Sequence, residues 1–253
     1  MKKTTILRGV VFALSLFLML FAGGRLYGIY AEYDEGTQAY EKLAQQHVVT
    51  VPEGVQEYAP EAEKEGFSVD FESLLAEYTD VTAWIRCEGT PINYPIAQSE
   101  DNSYYLRRLL NGKYNIAGTI FMDYRNGGNF SDWNTVVYGH NMKNGSMFGV
   151  LPKYKEQSFY DAHPSMRLLT PDKEFEIELL GGYVTPADSE AYRFPASQEE
   201  RDALIAYARE HSDFVSEVEV LEDDKLITLS TCVYDYEDAR YVVVGVLRES
   251  ESR

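Results

Sequence analysis

A thiol, an imidazole and a guanidinium each stand at the edge of a strand-like apolar run in this chain. Cys232 closes Thr228-Leu229-Ser230-Thr231, and Arg240 heads Tyr241-Val242-Val243-Val244 eight residues later. His140 lies 92 residues upstream of the cysteine, after Thr135-Val136-Val137-Tyr138-Gly139. Such a set can do acyl transfer: a thiolate attacks a carbonyl, an imidazole moves a proton, and a guanidinium holds the developing oxyanion. A thiol with an ordinary pKa of about 8.5 is mostly neutral at pH 7, so the nucleophile needs a nearby cation or proton acceptor. His140 and Arg240 are the groups available for that. Singly, each residue has a plainer reading: a core cysteine, a boundary histidine, an arginine paired with Asp235, Glu237 or Asp238. Their joint appearance, each in its own short motif, favours the chemical one.

The elements that must position them are short and β-rich. Strand-type runs are expected at 83–87, 92–96, 118–122, 135–140, 166–170, 174–184, 225–232 and 241–247. In Glu174-Phe175-Glu176-Ile177-Glu178-Leu179 polar and apolar residues alternate strictly, the mark of a sheet with one wet face. Eight such runs with few helices imply an all-β fold with added helices, closed or nearly closed as a barrel. A helix near Ser68 is expected from the stripe Phe71, Leu74, Leu75 and Tyr78. A second is expected over 101–111, stopped by Gly112. A third is expected over 198–211, opened by the capping pair Ser197 and Glu200, with Leu204, Tyr207, Ala208 and His211 on one face.

At 253 residues the chain accommodates one substantial domain with appendages. Its formal net charge is −18. Residues 1–30 hold Lys2, Lys3, Arg8 and Arg25 and no acid, leaving 19 basic against 41 acidic side chains, about −22, for the rest. A body of that charge repels phosphate backbones, so nucleic acid is excluded as a partner. From Gly9 to Gly24 no charged residue occurs, and apolar character resumes after Arg25 through Tyr30. Snorkelling by Arg25 and the interface aromatics Tyr27 and Tyr30 extend this segment to a membrane span. The bases before it put the N-terminus in the cytoplasm and the acidic body outside. A cleaved signal peptide, cut near Ala22-Gly23-Gly24, is the competing reading. The expected organisation is therefore a cytoplasmic tail over 1–8, a single-pass signal anchor over 9–30, an acidic spacer over 31–67, helical at its start, and a catalytic domain over 68–253. Of the two cysteines, Cys87 reads as a small buried apolar residue. A disulfide between them would consume the nucleophile.

This constellation resembles the sortase family, class B most closely. The resemblance rests on Thr228-Leu229-Ser230-Thr231-Cys232, on Asn134 through Met142 followed by Gly145-Ser146-Met147-Phe148, and on Arg240. Trp84-Ile85, Tyr94-Pro95-Ile96 and the stretch from Gln98 to Leu106 add to it, so that it spans about 71–247. It implies an eight-stranded barrel with an N-terminal helix and a long helix between the sixth and seventh strands. It also implies a two-step transpeptidation. Cys232 would attack the Thr carbonyl of a C-terminal sorting motif, Arg240 would steady the oxyanion, and His140 would protonate the leaving amine. The partners implied are surface proteins bearing that signal and an amine of a lipid-linked peptidoglycan precursor. No metal or organic cofactor is needed. Asn102, Leu106, Ser230 and Tyr192 would line the substrate groove. Val233 departs from those class B members that carry an acid after the cysteine. His47, His163 and His211 are read as non-catalytic. A pilin-polymerising sortase, a non-enzymatic membrane-tethered β-domain that binds surface ligands, and a simple cysteine protease are the alternatives.

Overall fold

The computed structural model describes residues 2–51 and 66–250. Helix α1 (Lys2–His47) runs unbroken from the apolar segment to the folded body. Among the described residues it is the one helix long and apolar enough to cross a membrane. Val10, Phe12, Phe17, Phe21 and Leu26 are all exposed on it. Its later turns are seated on the body instead: Tyr40 and Leu43 are buried. The Tyr40 hydroxyl donates to the Gly118 carbonyl at 2.7 Å and lies 2.8 Å from the hydroxyl of Thr119. The first half of the expected spacer is thus helix packed on the barrel. Strand β1 (Val48–Val51) follows and pairs antiparallel with β2 (Gly66–Val69). The remainder of that spacer, 52–65, lies outside the described residues.

Helix α2 (Phe71–Glu77) starts three residues later than Ser68, because Ser68 is paired with Val49 in the β1–β2 ladder. Asp70 caps α2 by accepting from the Ser73 N–H. The body is a closed eight-stranded barrel built from β3 (Val81–Arg86), β4 (Asn93–Ala97), β5 (Ile120–Met122), β6 (Asn134–Tyr138), β7 (Ser165–Leu169), β8 (Glu174–Pro186), β9 (Lys225–Cys232) and β10 (Ala239–Glu249). The strand order is β10-β8-β7-β3-β4-β5-β6-β9, closing back on β10. It is a mixed barrel: β4 runs parallel to β5 and β6 parallel to β9.

Hydropathy explains which strands are wet. In β8 the alternation from Glu174 buries Phe175, Ile177 and Leu179 and leaves the acids on the outer face. Strand β10 is apolar on both faces because both are covered. Tyr241, Val243 and Leu247 join the main core. A short helix, α3 (Gln157–Ala162), precedes β7, and Val242, Val244 and Val246 pack with Leu204, Ile205 and Ala208 of α4 (Gln198–His211). This helix lies between β8 and β9, the sixth and seventh barrel strands in chain order. Ser197 caps it, accepting from the Glu200 N–H, and the Glu200 carboxylate reaches back to the Ala196 N–H.

The helix expected over 101–111 does not form. Only a 3₁₀ turn, Tyr104–Arg107, is present. The Tyr105 carbonyl, which a helix would offer to the Leu109 N–H, accepts from Thr119 instead, and that of Arg107 accepts from Asn115. Tertiary pairing takes the acceptors that propagation needs. The apolar residues Tyr105 and Leu109 still point inward, but from a doubled-back loop.

Gly118 fixes that loop. Its φ is +60°, and a Cβ there would meet the carbonyl oxygens of Tyr105 and Leu106 at 2.6 and 2.7 Å. Gly118→Ala is expected to destabilise the fold by about 2–4 kcal/mol, since strain and a backbone clash add. Gly112→Ala, at φ +77° with only the Tyr104 hydroxyl within reach at 3.5 Å, should cost about 1 kcal/mol. Denaturation midpoints of the two variants test this, and equal losses would remove the clash from the account.

Candidate active site

Two ladders bring the chemistry together. In the antiparallel β9–β10 pair, Cys232 stands directly opposite Arg240. Opposed residues share a face, with Cβ atoms about 5 Å apart. On its other side β9 runs parallel to β6, and the Gly139 N–H donates to the Ser230 carbonyl at 3.0 Å. The Thr231 hydroxyl donates to the Gly139 carbonyl at 2.8 Å, and the Asn141 amide donates to the Cys232 carbonyl at 2.8 Å. These bonds fasten the strand end that carries His140 alongside the end that carries the thiol. Gly139 is needed here because a Cβ would meet the buried Phe148 ring at 2.6 Å. The Phe148 N–H in turn donates to the His140 carbonyl at 3.0 Å.

Cys232, His140, Arg240, Asn102, Leu106, Ser230 and Tyr192 all line one cavity of about 280 Å³. Cys232 is half-buried and free. Cys87 is also free but buried, its Sγ 3.7 Å from the Tyr154 hydroxyl, and desolvation pushes its thiol pKa up. Arg240 donates to the Ala239 carbonyl at 3.1 Å. Among the described residues it meets no carboxylate, and Asp235 is paired with Lys155 instead.

The imidazole of His140 is oriented by the backbone. Its Nε2 lies 2.6 Å from the Leu106 carbonyl oxygen. A carbonyl only accepts, so Nε2 carries the hydrogen and the neutral ring keeps its lone pair on Nδ1. Burial lowers the His140 pKa below its ordinary value of 6.5, opposed by the Leu106 bond and reinforced by Arg107. At neutral pH the ring is therefore uncharged. It can take a proton at Nδ1 and return it.

The groove wall is a polar network. The Tyr192 hydroxyl sits 2.8 Å from that of Ser230, and its ring stacks on Tyr138 with centroids 6.1 Å apart. Burial pushes the Tyr192 pKa up to about 12, against the Ser230 bond and the Arg240 charge, so it stays a neutral hydrogen-bonding group. Asp123 joins several of these groups. Its buried carboxylate accepts from Arg125, from the Asn102 amide at 2.8 Å and from the Tyr138 hydroxyl at 2.9 Å. Burial alone would raise its pKa, but those bonds outweigh it and hold the carboxyl below the ordinary range. Asn102 also accepts from the Tyr124 N–H, so much of its bonding capacity braces the wall. The sequence reading missed Asp123 and Asn141 as site residues. Asn141 lies within the Asn134–Met142 motif, whereas Asp123 follows an ordinary apolar strand with nothing to single it out.

The other histidines lie away from this cavity. His47 is buried against the Ser73 hydroxyl at 2.8 Å, and His211 stacks on Tyr207 with centroids 4.0 Å apart. His163 borders a larger cleft, about 670 Å³, with Glu88, Glu176 and Glu178. That cleft contains no thiol.

A family model described as the Sortase domain matches residues 85–248. Sortase B of Listeria monocytogenes is 41% identical over 172 residues, covering 66% of this chain and 70% of that protein. Sortase B of Staphylococcus aureus is 30% identical over 240 residues, covering 93% and 94%. Among solved structures, a Staphylococcus aureus sortase B–substrate complex superposes with a TM-score of 0.73 at 28% identity, covering 87% of this chain and 100% of that one.

The lowered His140 pKa has a signed consequence. Between about 6.5 and the lower folded value, the unfolded chain binds more protons at this site than the folded one. The stability it contributes is complete above about 6.5 and is lost as pH falls through the folded pKa. NMR titration should place the His140 midpoint below the ordinary histidine value, with Nε2 protonated in the neutral form. A midpoint at or above that value would contradict the desolvated site.

Proposed function

This chain belongs to the sortase family, as a class B cysteine transpeptidase, and from that premise we propose that Cys232, His140 and Arg240 carry the reaction. The observation that carries the assignment is the register that sets Cys232 opposite Arg240, with the His140 strand end hydrogen-bonded alongside. Family membership brings the substrate classes: a protein with a C-terminal sorting signal and a peptidoglycan amine. The remaining steps follow from the chemistry of the groups.

The Cys232 thiol gives its proton to His140 as the sulfur attacks the carbonyl carbon of the sorting-motif Thr. The carbonyl oxygen gains the negative charge, and the Arg240 guanidinium donates hydrogen bonds to it. As the C–N bond breaks, the imidazolium returns the proton to the departing amine, leaving a thioester on Cys232. The second amine then attacks that thioester. His140 takes its proton and passes it to the leaving sulfur, which restores the thiol. Ser230, Tyr192, Leu106 and Asn102 line the groove that receives the peptide, with Asp123 holding Asn102 and Tyr138 in place.

The anchor reading belongs to the same proposal. Residues 9–30 span the membrane with 1–8 in the cytoplasm, and the body outside receives a lipid-linked amine at the membrane surface. Supporting this are the exposed apolar face of α1 and the bases that precede it.

Cys232→Ala should retain the fold and form no thioacyl adduct with a Thr-containing sorting peptide, read by intact-protein mass spectrometry. Adduct formation in that variant would falsify the nucleophile assignment. Arg240→Ala should lower kcat roughly 10²–10³-fold, the loss usual when an oxyanion donor is removed. Arg240→Lys should recover part of it, because a point charge replaces a fixed fork. Full activity of Arg240→Ala would take Arg240 out of the reaction.

A further inference from the structure

Between Asp101 and Asp123 the sequence holds no acid and three bases, Arg107, Arg108 and Lys113, in a body that is otherwise strongly acidic. All three are exposed. Interleaved with them, Tyr104, Leu106 and Tyr114 are 43%, 41% and 58% exposed. Arg108 lies over the Tyr104 ring, 5.2 Å from its centroid. Lys113 is paired with Glu35 of α1, while Arg107 and Arg108 meet no carboxylate among the described residues. The outer face of this segment is therefore cationic, amphipathic and rich in tyrosine. That is the composition that settles at a bilayer's headgroup level.

Its height is set by α1. The Asn115 amide donates to the Glu32 carbonyl at 3.0 Å, and the Lys113–Glu35 pair ties the same segment one turn further on. An α-helix advances about 1.5 Å per residue, so these ties fall about 3 and 8 Å beyond Tyr30, where the apolar segment ends. The headgroup layer on each side of a bilayer is about 5–8 Å thick. The tethered segment therefore sits at headgroup height when α1 spans the membrane.

We propose that Tyr104–Tyr114 is a docking surface for the anionic phospholipid headgroups of the bilayer that α1 enters. The inference rests on the membrane-anchor reading above. Arg107 and Arg108 supply the attraction to phosphate, and Tyr104 and Tyr114 supply the amphipathic contact. Docking there fixes more than orientation. Thr119, in the cavity wall, lies 2.8 Å from the hydroxyl of Tyr40, about 15 Å along α1 from Tyr30. The cavity is thereby held close to the membrane surface, where a lipid-borne amine is presented.

Hydrogen exchange of the full chain separates the possibilities. The chain is reconstituted in vesicles of phosphatidylcholine alone, in equimolar phosphatidylcholine and phosphatidylglycerol, and in neutral detergent. Amides of 104–114 should exchange roughly tenfold or more slowly in the anionic vesicles than in detergent, with much less slowing in phosphatidylcholine. The double variant Arg108→Gln/Tyr114→Ser should lose roughly fivefold of that protection or more, while 9–30 stays protected. Protection of 9–30 without slowing of 104–114 overturns the docking surface and leaves the anchor standing. Equal slowing in both vesicles overturns the role of the arginines. Free exchange of 9–30 in every vesicle removes the anchor reading, and the docking surface with it.

Discussion

The geometry of the site depends on the register of β9 between its two neighbours. Side chains alternate along a strand, so a slip of one residue against β10 would send the Cys232 thiol to the face opposite Arg240. Apolar packing alone holds that register weakly here, because β10 is apolar on both faces and a slipped strand would still bury valines. A buried polar pair supplies the missing discrimination. At the middle of β9 the Thr228 hydroxyl donates to the Asn134 carboxamide oxygen at 2.9 Å. The Asn134 amide donates onward to the carbonyls of Ala191 and Arg193. Both side chains are fully buried. Any slip would strand them without partners, at about 1–3 kcal/mol per unsatisfied group. The same network holds the turn that carries Tyr192, so register and groove wall are set together.

Asp123 plays the corresponding part for the other wall. A fully buried carboxylate is tolerated because a guanidinium, an amide and a phenol all donate to it. Removing any one donor leaves the charge less well solvated. Asn102 and Tyr138 are therefore constrained before substrate arrives, and the Tyr138 ring presents a fixed surface for Tyr192 to stack on. Such preorganisation matters in a site whose resting imidazole is neutral. The bonds of the frame hold the His140 ring and its strand end beside the end that carries Cys232.

Strands, barrel class and the meeting of Cys232, His140 and Arg240 in one cavity were legible in the sequence because each has a local signature. The alternation in β8, the valine run of β10 and the capping pair of α4 read directly as structure. Cys232, His140 and Arg240 stand at strand ends, where short motifs are strongest. Asp123 was not legible. Beside the neighbouring Arg125, its role arises from Asn102 and Tyr138, drawn from separate segments, and nothing nearby in the chain announces that convergence. The segment 31–47 did not announce its packing on the barrel, for a similar reason. Its polar composition hides Tyr40 and Leu43, which fall on one face of α1 and are buried only because a barrel lies beside them.

The 101–111 segment carries the most instructive difference. Its composition allows a helix, and in a helix the Leu106 carbonyl would be spent on the N–H of residue 110. In the loop that forms, the tertiary bonds to Asn115 and Thr119 stop propagation, and the Leu106 carbonyl is left facing the cavity. It is this freed acceptor that takes the Nε2–H of His140 and decides which nitrogen of the ring can accept a proton. The departure from local propensity thus has a chemical use. A backbone carbonyl released from secondary structure orients the imidazole without adding a charge, and so leaves its pKa to be set mainly by burial. An aspartate in that place would hold the ring as firmly, but its charge would favour the imidazolium and raise the pKa. A ring held that way would release its proton less readily.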